Sequence, residues 1–167
     1  MKKYIGCKMV EAEPCVKVKG KLYDCEPDMV LTSEEIAEVQ HGYKVRYEDG
    51  YESFSPKDVF EKAYMQVKDN NTITAPDVEA FIKEVYVTTI GEKTTLVKTT
   101  LVNGFIICET SSCVDPANYD EEVGAQICME KIIGKIGELL GFLLQTAIVG
   151  VKPQSISVIK ERGKDND

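Results

Sequence analysis

Between Val123 and Leu144 apolar residues return at helical spacing: Val123, Ile127, Ile132, Ile133, Ile136, Leu139, Leu140, Leu143 and Leu144. This is the period of a long amphipathic helix. Lys131, Lys135 and Glu138 interrupt the apolar surface; charges are costly at mid-bilayer, so the pattern predicts a core or interface helix in water, not a membrane span. Asp115-Pro116 predicts an N-cap and a first-turn proline, and Asn118 with Glu121 a second capping box. Upstream the period changes to two. Tyr43, Val45 and Tyr47 alternate with Lys44, Arg46 and Glu48, and Asp49-Gly50 supplies a two-residue hairpin turn. That turn pairs Tyr47 with Glu52, Arg46 with Ser53 and Val45 with Phe54. Ser55-Pro56 then opens a helix whose buried stripe is Val59, Phe60, Ala63 and Tyr64.

The remaining stretches are read from the same signals. Tyr4 to Glu11 alternates as a strand, and Pro14 to Met29 is irregular, broken by Pro14, Gly20 and Pro27. Thr32 to Gly42 holds a short helix. Thr74 with Asp77 caps a helix carrying Val78, Phe81 and Ile82. Gly91-Glu92 and Asn103-Gly104 make two hairpin turns, the second setting Lys98 opposite Glu109. In that register one face carries Val85, Val87, Leu96, Val102, Phe105 and Ile107. The other carries Tyr86, Ile90, Val97, Leu101, Ile106 and Cys108. One helix covers one face, so the other is expected to meet the N-terminal unit or another subunit. Gly134, Gly137 and Gly141 each lower helix propensity by about 0.8–1.0 kcal/mol relative to alanine, which suits a helix that another backbone approaches closely. Ser155 to Ile159 reads as a short terminal strand.

These elements predict an α+β fold of two small lobes. Residues 1–66 form a hairpin–helix unit, 67–74 a polar linker, 75–150 an antiparallel meander packed on one long helix, and 151–167 a polar tail. The two-faced sheet and the helix glycines predict a homo-oligomer.

Composition narrows the chemistry. A chain of 167 residues with 43% hydrophobic and 29% charged content is that of a soluble globular protein. Its net charge of −8 argues against nucleic-acid binding. Met1-Lys2-Lys3 leads into Tyr4-Ile5-Gly6 and not an apolar run, so no signal peptide is expected and the protein is placed in the cytoplasm. Six cysteines lack C-x-x-C spacing and the only histidine is His41, so reduced thiols are expected, with neither a zinc site nor a cofactor. Asp115, Asp120, Glu121 and Glu122 resemble an acidic metal site, but acids in a first helical turn complement the helix dipole, and the spacing of a calcium loop is absent. No nucleophile–base pair or P-loop is present, so a non-enzymatic protein is expected, with no catalytic or metal-binding residue.

The N-terminal unit offers different chemistry. Arg46 and Lys57 lie near a helix start, and Tyr43, Tyr47, Tyr51 and Phe54 offer stacking surfaces. With Ser53 and Ser55 they make a candidate site for a base and its phosphates.

Two resemblances bear on origin and role. Asn103-Gly104-Phe105, then Cys113-Val114-Asp115-Pro116-Ala117-Asn118-Tyr119-Asp120, then Gly141-Phe142-Leu143-Leu144 resemble the signature of a Gp-forty-nine-like family of small tailed-phage proteins. That resemblance covers roughly Lys83 to Thr146 and implies phage or prophage origin without an established chemistry. The sequence Asp49-Gly50, Phe54, Pro56 and a following helix is similar to one group of phage Thoeris anti-defence sponges, which usually have tryptophan where Phe54 stands. This similarity implies a viral anti-defence protein in the host bacterial cytoplasm that sequesters an immune nucleotide, a cyclic nucleotide or an ADP-ribose derivative. Two alternatives stand beside it: a protein–protein module that inhibits a host factor, and a nucleotide-cleaving enzyme.

Overall fold

A computed structural model describes residues 1–24, 39–67 and 71–151. Its strands are β1 (Glu11–Val18), β2 (Lys21–Asp24), β3 (Gln40–Arg46), β4 (Glu52–Pro56), β5 (Ile82–Ile90), β6 (Thr94–Leu101) and β7 (Ile106–Ser112). Its helices are α1 (Lys57–Ala63), α2 (Ala75–Ala80) and α3 (Glu121–Val149), with a 3-10 turn at Pro116–Asn118. The fold is mixed α+β with two antiparallel sheets, ordered β2-β1-β3-β4 and β5-β6-β7. The expected helix over 32–42 lies mostly outside the described residues, although Gln40–Gly42 are strand. The terminal strand at 155–159 and part of the linker also lie outside them.

The N-terminal lobe holds more sheet than its pattern predicts. The first strand is Glu11–Val18, not Tyr4–Glu11. Pro14 does not break it: among the described residues β2 pairs with Cys15–Val18, and Pro14 has a neighbour on the β3 side alone. A proline is tolerated at such an edge. Lys19 and Gly20, with φ of 48° and 83°, form the two-residue turn into β2. Cys15, Val16, Val18 and Val45 are buried in this sheet. Strand β4 runs through Pro56, so α1 starts one residue later than expected and Ser55 is not its cap. Of its expected stripe only Phe60 and Tyr64 are half-buried; Val59 and Ala63 are exposed.

Both Asx-Gly turns fall where the sequence puts them, with one more loop residue than expected. The β3–β4 register is Arg46↔Glu52, Val45↔Ser53 and Lys44↔Phe54. Glu48-Asp49-Gly50 form the loop, and Gly50 has a φ of 83°. The amide of Gly50 donates to Tyr47 O, and the Asp49 carboxylate accepts from the Tyr51 amide at 3.0 Å. Val102-Asn103-Gly104 repeats this arrangement: Gly104 N donates to Leu101 O, and Asn103 Oδ1 accepts from Phe105 N at 3.0 Å. These are three-residue loops with glycine in the left-handed bulge position. The extra residue shifts every cross-strand pair by one.

The expected faces of the C-terminal sheet change accordingly. Ile90 pairs with Thr94 around a loop of Gly91, Glu92 and Lys93, so Leu96 and Val97 exchange sides. Val97, Leu101 and Ile107 are buried together against α3, whereas Tyr86, Ile90, Ile106 and Cys108 are exposed on the other face. Val97 stands opposite Glu109, so Glu109 lies on the helix side and Lys98 does not face it. There Glu109 meets Lys135, whose ammonium holds its carboxyl below the usual carboxylate range.

Helix α3 buries Gly124, Cys128, Ile132, Ile136 and Leu140. A strict four-residue step drifts slowly round a 3.6-residue helix, which suits a seat on a twisted sheet. Val78 of α2 completes this core, with Phe81 and Ile82 packed beside it. Asp77 accepts from the Thr74 amide and hydroxyl at 2.8 and 2.6 Å, as the capping signal predicts. Asp115 caps only the 3-10 turn, accepting from Ala117 N at 2.9 Å. The cap of α3 is Asp120 rather than Asn118; one carboxylate oxygen accepts from Glu122 N and Val123 N at 2.9 and 3.1 Å. Replacing Asp120 by Ala is expected to lower stability by about 0.5–2 kcal/mol, whereas Asn118→Ala stays within about 0.5 kcal/mol. Urea titration of the two variants separates the assignments.

Candidate functional site

Alternation along β3 and β4 decides which of the expected binding residues meet. Tyr43, Val45 and, across the ladder, Ser53 and Ser55 share the face on which α1 packs; Lys44, Arg46 and Phe54 share the other. On the α1 side the Tyr43 ring stacks on Phe60 at 4.2 Å, and Phe60 stacks on Tyr64 at 4.7 Å. The Tyr43 hydroxyl donates to Glu61 at 2.9 Å. A second stack, Tyr47 on Tyr51 at 5.8 Å, adjoins the first. Burial, and secondarily Tyr47, push the Tyr64 hydroxyl above its ordinary pKa. Ser53 Oγ reaches Tyr47 Oη at 3.4 Å. Lys8 Nζ lies 4.1 Å from the centre of the Tyr47 ring, within cation–π range.

The rings of Tyr43, Phe60 and Tyr64 wall a cleft of about 740 Å³ completed by Lys8, Met9, Val10, Glu11, Glu61 and Met65. A shallower depression beside it is bordered by Lys8, Met9, Tyr47 and Tyr51. Lys8, Met9, Tyr64 and Met65 were not among the sequence-derived candidates. Lys8 and Met9 come from a segment without regular structure, so the alternation expected over Tyr4 to Glu11 does not tell which way they face. Tyr64 carries a signal, since it lies four residues after Phe60 on the same helical face.

The other face is closed by its own charges. Arg46 is ion-paired with Glu11, and Lys44 lies 3.4 Å from Glu52 and 3.7 Å from Glu13. These carboxylates raise both basic pKa values, with Glu11 the leading cause at Arg46 and Glu52 at Lys44. Phe54 lies over Gly42, where an added Cβ would come within 2.6 Å of its ring. Lys17 Nζ is 5.3 Å from the ring centre. Lys57 is 4.0 Å from Glu61. The eight expected residues therefore do not converge on one cleft. Tyr43, Tyr47, Tyr51, Ser53 and Ser55 gather towards α1, Arg46 and Phe54 face away, and Lys57 pairs along its own helix. Arg46 and Tyr47 meet only at the rim of a depression between the hairpin end and Ala147-Ile148.

Other chemistry finds little geometric support among the described residues. No group of three or more His, Cys, Asp or Glu converges as a metal site. His41 stands opposite Val16, and Cys15 opposite Gly42, which puts His41 and Cys15 on opposite faces. Burial pushes the Cys128 thiol above its usual pKa, so it is a poor nucleophile.

The stretch Cys113–Asp120 ties the sheet to α3. Tyr119 Oη lies 2.9 Å from Thr95 Oγ1 and 2.8 Å from Thr89 Oγ1, so one phenol joins the edge strand to the buried middle strand. Cys113 N donates to Lys93 O at 3.1 Å, and Lys93 Nζ donates to Val114 O at 3.2 Å. With the caps of Asp115 and Asp120, these contacts order the loop and hold the helix start against the sheet. Residues 73–148 match the model of the family described as phage protein (N4 Gp49/phage Sf6 gene 66). The matched span begins before Lys83, so it takes in α2 as well as the meander and nearly all of α3. It supports the expected phage origin, through a lobe whose signature residues are structural joints. No curated protein and no solved structure matches the chain.

Proposed function

We propose that this phage-encoded protein is a non-enzymatic binder that sequesters a small nucleotide in the cleft walled by Tyr43, Phe60 and Tyr64. The cleft itself carries the reading. Its volume of about 740 Å³ falls within the 300–1,000 Å³ usual for small-molecule sites, and its walls include aromatic and thioether groups suited to a planar base, beside the side chains of Glu11 and Glu61. Lys8, beside Tyr47, replaces Arg46 and Lys57 as the phosphate contact, since both of those are held by carboxylates. Among the described residues the cleft holds no nucleophile–base pair, which favours retention of the ligand over cleavage. Calorimetry with a panel of cyclic and ADP-ribose-derived nucleotides, followed by recovery of ligand after denaturation, tests the proposal. Intact ligand supports sequestration, altered ligand means cleavage, and no heat with any member overturns it.

Within the cleft, Tyr43→Ala is expected to weaken binding by about 1–3 kcal/mol, the range for one lost base–aromatic stack. Lys8→Ala is expected to cost a phosphorylated ligand about 1.5–3 kcal/mol and its nucleoside almost nothing. Arg46→Ala should leave both affinities unchanged. A second reading, a module that docks on a host protein, is favoured by the apolar sheet face of Tyr86, Ile90 and Ile106, which remains exposed.

A further inference from the structure

The side of α3 away from the sheet has an order of its own. Val123, Ile127, Glu130, Gly134, Gly137, Gly141, Leu144 and Ile148 follow one another at steps of 4, 3, 4, 3, 4, 3 and 4 residues. That is a heptad seam, the period that keeps one stripe facing a second helix over many turns. From 123 to 148 it runs about 38 Å at 1.5 Å per residue. Val123, Ile127 and Ile148 are each at least 40% exposed, and Leu144 is half-buried. Among the described residues, nothing lies within 4 Å of a Cβ added at Gly134, Gly137 or Gly141. The seam is distinct from the buried line Gly124–Leu140.

We propose that α3 pairs antiparallel with α3 of a second copy of this chain along that seam. The sizes of its residues select this occupant. Reversed about its midpoint, the stripe sets Val123 against Ile148, Ile127 against Leu144, Glu130 against Gly141, and Gly134 against Gly137. Large side chains oppose large ones at both ends, and glycines meet at the centre, where two crossing helices come nearest. Fit of i to j and of j to i is what a twofold interface requires, and a second copy of the chain supplies it automatically. Charge selects the orientation. A parallel pair would set Glu130 against Glu130 in the seam itself. The antiparallel pair brings Lys131 beside Glu138 of the other copy, twice, and leaves each Glu130 facing a glycine. Lys131 Nζ donates to Thr110 O at 3.2 Å, and an ammonium has three donors, so it serves the second carboxylate as well.

Light scattering over a wide concentration range should show a mass rising towards twice the 18.6 kDa of one chain. Gly134→Gln with Gly137→Gln puts long side chains at the crossing point while favouring the helix, and is expected to abolish the dimer with unchanged circular dichroism. Ile106→Gln, on the outer face of the C-terminal sheet, should leave it intact. Lys131→Glu or Glu138→Lys alone should each weaken the dimer roughly tenfold, and the double exchange should restore it. A wild-type monomer throughout, a dimer that survives the glycine replacements, or loss of the dimer with Ile106→Gln alone overturns the interface. Failure of the double exchange to restore affinity overturns its orientation.

Discussion

Replacing Ile132 by Ala is expected to cost about 2–5 kcal/mol of stability, while the same replacement at Ile133, the next residue, costs less than about 1 kcal/mol. The two residues share composition, helix and solvent history in the unfolded chain, so their difference isolates packing. Ile132 is fully buried between Cys128 and Ile136 against the sheet, whereas Ile133 is 39% exposed. Truncating the first leaves a cavity among β-sheet side chains that cannot collapse without moving strands. Truncating the second removes methyl groups already near water. Chemical denaturation with unchanged slope gives both values, provided the concentration is low enough that α3 is unpaired. Equal losses at the two positions would mean that α3 is rotated on its sheet.

A glycine comparison is expected to reverse sign along the same helix. At Gly124 an added Cβ would lie 2.1 Å from Thr95 Oγ1 and 2.7 Å from Thr95 Cβ. Thr95 is fully buried in the central strand and hydrogen-bonded to Tyr119, so it has no direction in which to yield. Overpacking typically costs about 1–3 kcal/mol, and a rigid backbone-anchored neighbour places this site at the upper end. The helix propensity gained by alanine returns about 0.8–1.0 kcal/mol. Gly124→Ala is therefore expected to destabilise by about 2 kcal/mol net. Gly134→Ala, in open space, should stabilise the unpaired chain by about 0.8–1.0 kcal/mol. A gain at both positions, read from denaturant midpoints, would refute the close approach of α3 to β6.

The reversal also shows what the sequence could and could not disclose. Gly134, Gly137 and Gly141 stand out in a helical pattern, but no described residue of the chain lies against them. Gly124 draws no notice near the helix start, yet it is the one set against a strand, because the fit depends on which β6 residue lies beneath it. The turns tell a similar story. Asp49-Gly50 and Asn103-Gly104 mark their loops correctly, but Asx-Gly serves a two-residue turn and a three-residue bulged loop equally well. The choice rests on whether the Asx oxygen accepts the amide two residues on, as it does here in both. In the second loop that single residue set Ile107, and not Ile106, on the buried face with Val97 and Leu101. Lys19-Gly20, the actual two-residue turn, was hidden because lysine seldom adopts positive φ. In the candidate site the tyrosines were visible by alternation. The engagement of Arg46 by Glu11 was not, because it depends on pairing between strands some 35 residues apart in sequence.

The Asn103 loop has a consequence for how this protein ages. Asn-Gly is the dipeptide most prone to spontaneous deamidation, because the unhindered glycine nitrogen attacks the side-chain carbonyl carbon of asparagine, closing a succinimide ring with loss of ammonia. Here the Gly104 nitrogen is committed to Leu101 O at 2.9 Å, and Asn103 Oδ1 is turned to the Phe105 amide. Both reacting groups are held by partners that ring closure would have to displace. The damage therefore starts from molecules whose β6–β7 loop has opened, and its rate over weeks of storage becomes a clock for how often that loop lets go.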